Sequence, residues 1–180
     1  MAVVYVAIDQ YLKNNGKLAF LLPASFLKST KGGQGFRKFE ITRNEQNIPF
    51  SVEKVDDFSD VRLFTIPTIL GVFQKGKEMT YPFKNYKKWI QTEGKRQLDS
   101  HSTWSMVRPK FHFNNQVAQP IDPNDKTTAW LTVDQDFYSV ADAVTNSNTN
   151  SPYRGRKGVE PAGAKGVYVL KDVVKQENEE

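Results

Sequence analysis

The chain's 180 residues suffice for one domain with its own core, or for one small domain and part of a second. A hydrophobic content of 38% with 12% aromatics argues against a disordered chain, and the absence of cysteine excludes a disulfide framework, a thiolate zinc site and a cysteine nucleophile. The net charge of +5 is unevenly spread: residues 76–120 hold eight basic and three acidic groups among many aromatics, while residues 121–150 hold one basic and five acidic. Basic and aromatic together point to nucleic acid, with a solvated basic surface as the alternative.

The spacing of Val4, Ala7, Ile8, Tyr11 and Leu12 predicts a helix over 2–13, stopped by Asn14-Asn15-Gly16. The start is apolar for only eight residues and has no basic flank, so neither a signal peptide nor a spanning helix of about 20 apolar residues is expected there. A cytoplasmic protein without membrane contact is expected. Leu18 to Leu22 is a uniformly apolar run ending at Pro23, as in a strand inside a parallel sheet with both faces covered.

A loop comes next through Lys31-Gly32-Gly33-Gln34-Gly35, then a short helix over 36–41. Strands are expected over 52–58 and 66–74, with Ser59 to Thr65 long enough for an antiparallel return. Residues 1–76 therefore read as α/β, in the manner of the second half of a doubly wound sheet. Residues 77–150 form a basic, aromatic-rich connecting region. Within it, 114–128 reads as loop from its three prolines and its Asn, Asp and Thr content, and 130–144 holds a strand and a short helix. Residues 151–180 make up a third segment, with a strand over 166–174.

No nucleophile–base–acid constellation is present. The glycine cluster at 31–35 lacks the ending of a phosphate-binding loop and reads as a plain turn. His101 and His112 lack a metal-binding frame. Asp56, Asp57 and Asp60 are expected to be solvated acids where a strand gives way to a loop.

The order of these pieces is informative. Tyr11-Leu12-Lys13-Asn14-Asn15-Gly16-Lys17 leading into Leu18 to Pro23 resembles a segment of the adenine-N6 DNA methyltransferases of restriction-modification systems. Ser25-Phe26-Leu27 and Gly35-Phe36-Arg37-Lys38-Phe39 are similar to the family's next segment, and Val52 to Gly76 resembles its final strand pair. Tyr81-Pro82 and Trp89 fall where the catalytic domain passes into the recognition region. Tyr153 to Val159, with Gly163 to Tyr168, resembles an opening segment of the target-recognition domain.

The resemblance implies the late strands of a methyltransferase sheet followed by a smaller mixed α+β recognition segment. The chain departs from the family in lacking the glycine-rich S-adenosylmethionine loop and the Asn/Asp-Pro-Pro-Tyr/Phe catalytic motif. The resemblance therefore implies no catalytic residue in this chain, and no S-adenosylmethionine bound by the chain alone although the complete enzyme uses it. The missing half, or another copy of the chain, is the expected protein partner. Phe64 falls at the junction before the last strand, where the family places an aromatic that stacks on the flipped adenine. Lys84, Lys87, Lys88, Lys95, Arg96, Arg108, Lys110, Arg154 and Arg156 are the expected DNA contacts. A nucleic-acid-binding or assembly module without enzymatic function is the alternative.

Overall fold

The computed structural model describes residues 2–61, 64–92, 99 and 101–145. The first apolar stripe forms α1 (Ala2–Val6), which widens into a π-helical stretch, Ala7–Tyr11, and buries Val4 and Ile8. The helical stretch ends at Tyr11, two residues short of the expected 2–13, because Leu12 is already extended; Asn14-Asn15-Gly16 makes a separate turn, in which Asn15 is left-handed (φ 63°) and Gly16 N–H returns to the Lys13 carbonyl at 2.9 Å. Next come β1 (Lys17–Pro23), α2 (Ser25–Lys28), a 3-10 turn at Phe36–Lys38 and β2 (Glu40–Arg43). A hairpin with both Asn44 and Glu45 at positive φ leads into β3 (Gln46–Asp60), followed by β4 (Thr68–Lys75).

The second half supplies β5 (Phe83–Gln91), α3 (Trp104–Val107) with a 3-10 turn at Arg108–Lys110, and β6 (Phe111–Pro120). After these come β7 (Trp130–Asp134), a 3-10 turn at Gln135–Phe137 and α4 (Tyr138–Thr145). Among the described residues the fold is mixed α/β around an open, mixed sheet of seven strands. Its order is β1-β4-β3-β5-β6-β7, with β2 paired to the beginning of β3. No helix among the described residues is long and apolar enough to cross a membrane.

Three expectations are corrected. The run Leu18 to Leu22 is a strand, but β1 pairs antiparallel with β4, lies at the outside of the sheet and exposes Lys17, Ala19 and Leu21. A short apolar run says "strand" without saying which faces are covered, and only its partners decide that. The helix expected over 36–41 stops at Lys38, because Phe39 turns left-handed (φ 53°) and β2 begins at Glu40. Residues 114–120, read as loop, belong to β6. The Asn and Gln content there is overridden by pairing on both sides, with β5 and with β7.

One face of the sheet carries the core. Val4, Ile8, Phe26 and Phe36 pack against Phe50 and Phe73. Phe36 meets Phe26, Phe39, Phe50 and Phe73 edge-on, at centroid distances of 4.3, 6.0, 5.0 and 5.7 Å. The neighbouring Arg37 is fully buried, and its guanidinium donates only to backbone. Nη1 reaches the Phe26 carbonyl at 3.0 Å, Nη2 the Ser29 carbonyl at 2.9 Å and Nε the Thr127 carbonyl at 2.8 Å. The glycine cluster is the turn wrapped around this side chain. A Cβ on Gly33 would stand 2.1 Å from the Phe26 oxygen and 2.5 Å from Nη1 of Arg37, so only glycine fits.

Candidate nucleic-acid interface

Strand direction defines one end of the sheet. β1 and β3 each run antiparallel to β4, and β5 runs parallel to β3, so β1, β3 and β5 point the same way. Their carboxyl ends, at Pro23, Asp60 and Gln91, meet one edge. In open α/β sheets that edge is where ligands gather. The turn from β3 to β4 stands on it, tied down by the Ala24 N–H to the Pro67 carbonyl at 2.8 Å. From this turn Phe64 is 46% exposed and Ile66 is 56% exposed. Phe64 thus keeps about half of its surface exposed at this edge.

The three aspartates near this end are not solvated loop acids. Asp56 and Asp57 lie within β3 at 4% and 0% exposure. Asp57 accepts from Lys28 Nζ (2.8 Å) and the Tyr86 hydroxyl (2.5 Å) on Oδ2, and from the Ser59 N–H (2.9 Å) and hydroxyl (2.5 Å) on Oδ1. Burial alone pushes this carboxyl up, but Lys28, Ser59 and Tyr86 together outweigh it and hold the carboxyl below its ordinary value. Asp56 binds Lys54 at 2.7 Å and accepts the Trp89 indole N–H at 2.9 Å. Asp60 pairs with Lys88 at 2.8 Å. Each carboxylate is committed to a protein partner, and no metal-binding cluster occurs among the described residues.

Among the described residues, the basic residues singled out in the sequence do not share one face. Lys87 and Lys88, adjacent on a strand, point to opposite faces. Lys88 is held by Asp60, whose hydrogen bond raises its pKa above the ordinary lysine value. Lys87 instead lays Nζ 4.3 Å from the centroid of Phe113, and the Arg108 guanidinium sits 5.8 Å from the centroid of Trp89. Lys84 and Lys110 are exposed. Lys95, Arg96, Arg154 and Arg156, together with the strand expected over 166–174, lie outside the described residues.

Sequence reasoning missed the set of rings between the cations. Phe58, Trp89 and Phe113 form a row, with centroids 6.0 Å apart for the first pair and 5.2 Å for the second. The alternation Lys87-Lys88-Trp89 and the spacing of Phe111 and Phe113 carry a period-two signal that could have found it. His101 and His112 are both exposed and join no cluster among the described residues. The chain matches no protein-family model and no curated protein.

Proposed function

We propose that this chain is the late, DNA-facing part of an S-adenosylmethionine-dependent DNA adenine-N6 methyltransferase of the restriction-modification type. The observation that carries the reading is the Phe64 turn. It links an antiparallel strand pair and presents an exposed ring at the edge where three codirectional strands end. The sequence contains neither the cofactor loop nor the Asn/Asp-Pro-Pro-Tyr/Phe motif, so a partner segment supplies both. This chain's share is mechanical. Phe64 compensates the stacking that an adenine loses when it leaves the duplex, and Lys84, Lys87, Arg108 and Lys110 offer positive charge to phosphates. The outer edge of β1, unpaired among the described residues, is a place for a strand of that segment to join.

The test joins the chain to a segment carrying both motifs and measures methylation of adenine N6. Phe64→Ala is expected to slow methylation of a paired adenine by about five- to a hundredfold, since aromatic stacking contributes about 1–3 kcal/mol per base. Removing the base opposite should restore much of the rate, because extrusion then costs less. Phe64→Trp, which keeps a π-face, should lose less than the alanine variant. Equal losses on paired and unpaired adenine, matched by a lower melting temperature, would reduce Phe64 to a packing residue.

A further inference from the structure

We infer that the sheet face bearing Phe58, Trp89 and Phe113 is a stacking platform for single-stranded nucleic acid. The inference stands on this face alone and does not need the methyltransferase reading. Three neighbouring strands, β3, β5 and β6, each contribute one half-buried ring. Trp89 and Phe113 are direct cross-strand partners, and Phe58 lies across from Trp89 on the other side with its ring nearly parallel, at 29°. The central indole is fixed before any ligand arrives. Its N–H is bonded to Asp56, which Lys54 in turn holds.

The flanking groups match a phosphate backbone. Lys87 and Arg108 pair with no carboxylate among the described residues and rest only on the rings and on the Phe111 carbonyl. Each can turn from ring to phosphate without breaking an ion pair. Asn115, the exposed cross-strand partner of Lys87, adds a donor and an acceptor for a base edge on the next row. The lining is thus aromatic, cationic and amide-bearing, which is the composition that binds unpaired bases. A duplex fits poorly, because its base faces are already occupied. Its grooves admit a helix or a two-stranded ribbon, and these rings rise from the face of a wide sheet.

Fluorescence anisotropy on the full chain tests this with labelled single-stranded DNA, single-stranded RNA of the same sequence and a DNA duplex, each of about 12 nucleotides. At least one single strand should bind about tenfold or more tightly than the duplex. Phe113→Leu and Phe58→Leu should each weaken it about fivefold or more, and Phe113→Tyr should restore binding. Lys87→Gln with Arg108→Gln should lower the log–log salt slope by about 0.7 for each phosphate no longer neutralised. Melting temperatures identify any leucine variant that fails to fold, in which case the Lys87 and Arg108 pair carries the decision. Duplex binding as tight as either single strand overturns the proposal. So do folded leucine variants that bind as the wild type does, or an unchanged salt slope. Because methylation is not measured, failure here leaves the Phe64 reading standing, and the converse also holds.

Discussion

Arg37→Ala is expected to lower the stability of the fold by about 3–4 kcal/mol, which for a chain of this size is a fall in melting temperature of about 10 °C. The guanidinium is completely buried and forms no ion pair among the described residues, with Asp125 acting on it only at longer range, so its value lies mainly in the backbone carbonyls of Phe26, Ser29, Thr30 and Thr127 that it satisfies. The Phe26 and Ser29 carbonyls are unpaired acceptors around the end of α2, and the Thr127 carbonyl belongs to the connection between β6 and β7. One side chain thereby joins segments ninety residues apart in sequence. Alanine leaves those carbonyls without their charged donor, and each buried, unsatisfied polar group costs about 1–3 kcal/mol. It also opens a hole beneath the Gly33 turn.

Arg37→Lys should recover only part of the loss. An ammonium on a flexible stem cannot reproduce a planar fork aimed at carbonyls in three directions. Thermal unfolding of the three proteins followed by circular dichroism is the measurement. Amide exchange should report faster opening around residues 24–38 and 121–129 in the alanine variant. A melting temperature within about 2 °C of the wild type would mean that water replaces the guanidinium at no cost and would end the argument.

Arg37 also marks what the sequence could and could not say. Periodicity found the first helix, β3, β4 and their antiparallel return, and the strand and helix after Trp130. In each of these the apolar pattern and the local turn chemistry agree. It misplaced β1 because Leu18 to Leu22 is apolar on both faces, whereas burial depends on which strand pairs beside it and what covers the sheet. It missed β6 because Asn114, Asn115 and Gln116 carry little strand preference of their own. Their place is set by β5 and β7, and Gln116 is held there by donating to Asp134 at 3.0 Å.

The same limit applies to the candidate interface. The basic block was legible as composition, but strand alternation divides Lys87 from Lys88, and Asp60 neutralises the latter, a pairing of residues 28 apart that no local pattern contains. The acidic trio Asp56, Asp57 and Asp60 looked solvated because two of its bases, Lys28 and Lys88, lie 29 and 28 residues from Asp57 and Asp60, and the sequence does not show that β3 buries Asp56 and Asp57.

Asp57 provides the other large effect, and it depends on pH. Asp57→Leu is expected to cost about 3–4 kcal/mol at neutral pH, because it strips Lys28, Tyr86 and Ser59 of their common acceptor. The Lys28 side chain is about a third exposed and can turn to water, so its share is screened. The larger part comes from the buried Tyr86 hydroxyl and the Ser59 groups. Asp57→Asn keeps an acceptor for some of these donors and should cost about 1–2 kcal/mol.

The native pKa of Asp57 is depressed, so its charge stabilises the fold above the unfolded value of about 3.9. That contribution is lost as the pH falls through the native value. In the asparagine variant no proton is taken up at this position. The stability gap between wild type and Asp57→Asn should therefore be widest near neutrality and shrink as acid protonates the wild-type carboxyl. Urea unfolding of both proteins at pH 7, 4 and about 2.5 measures the gap directly. A gap of the same size at all three values would show that the charge on Asp57 adds nothing beyond its shape. A gap that widens in acid would reverse the sign assigned to its pKa shift.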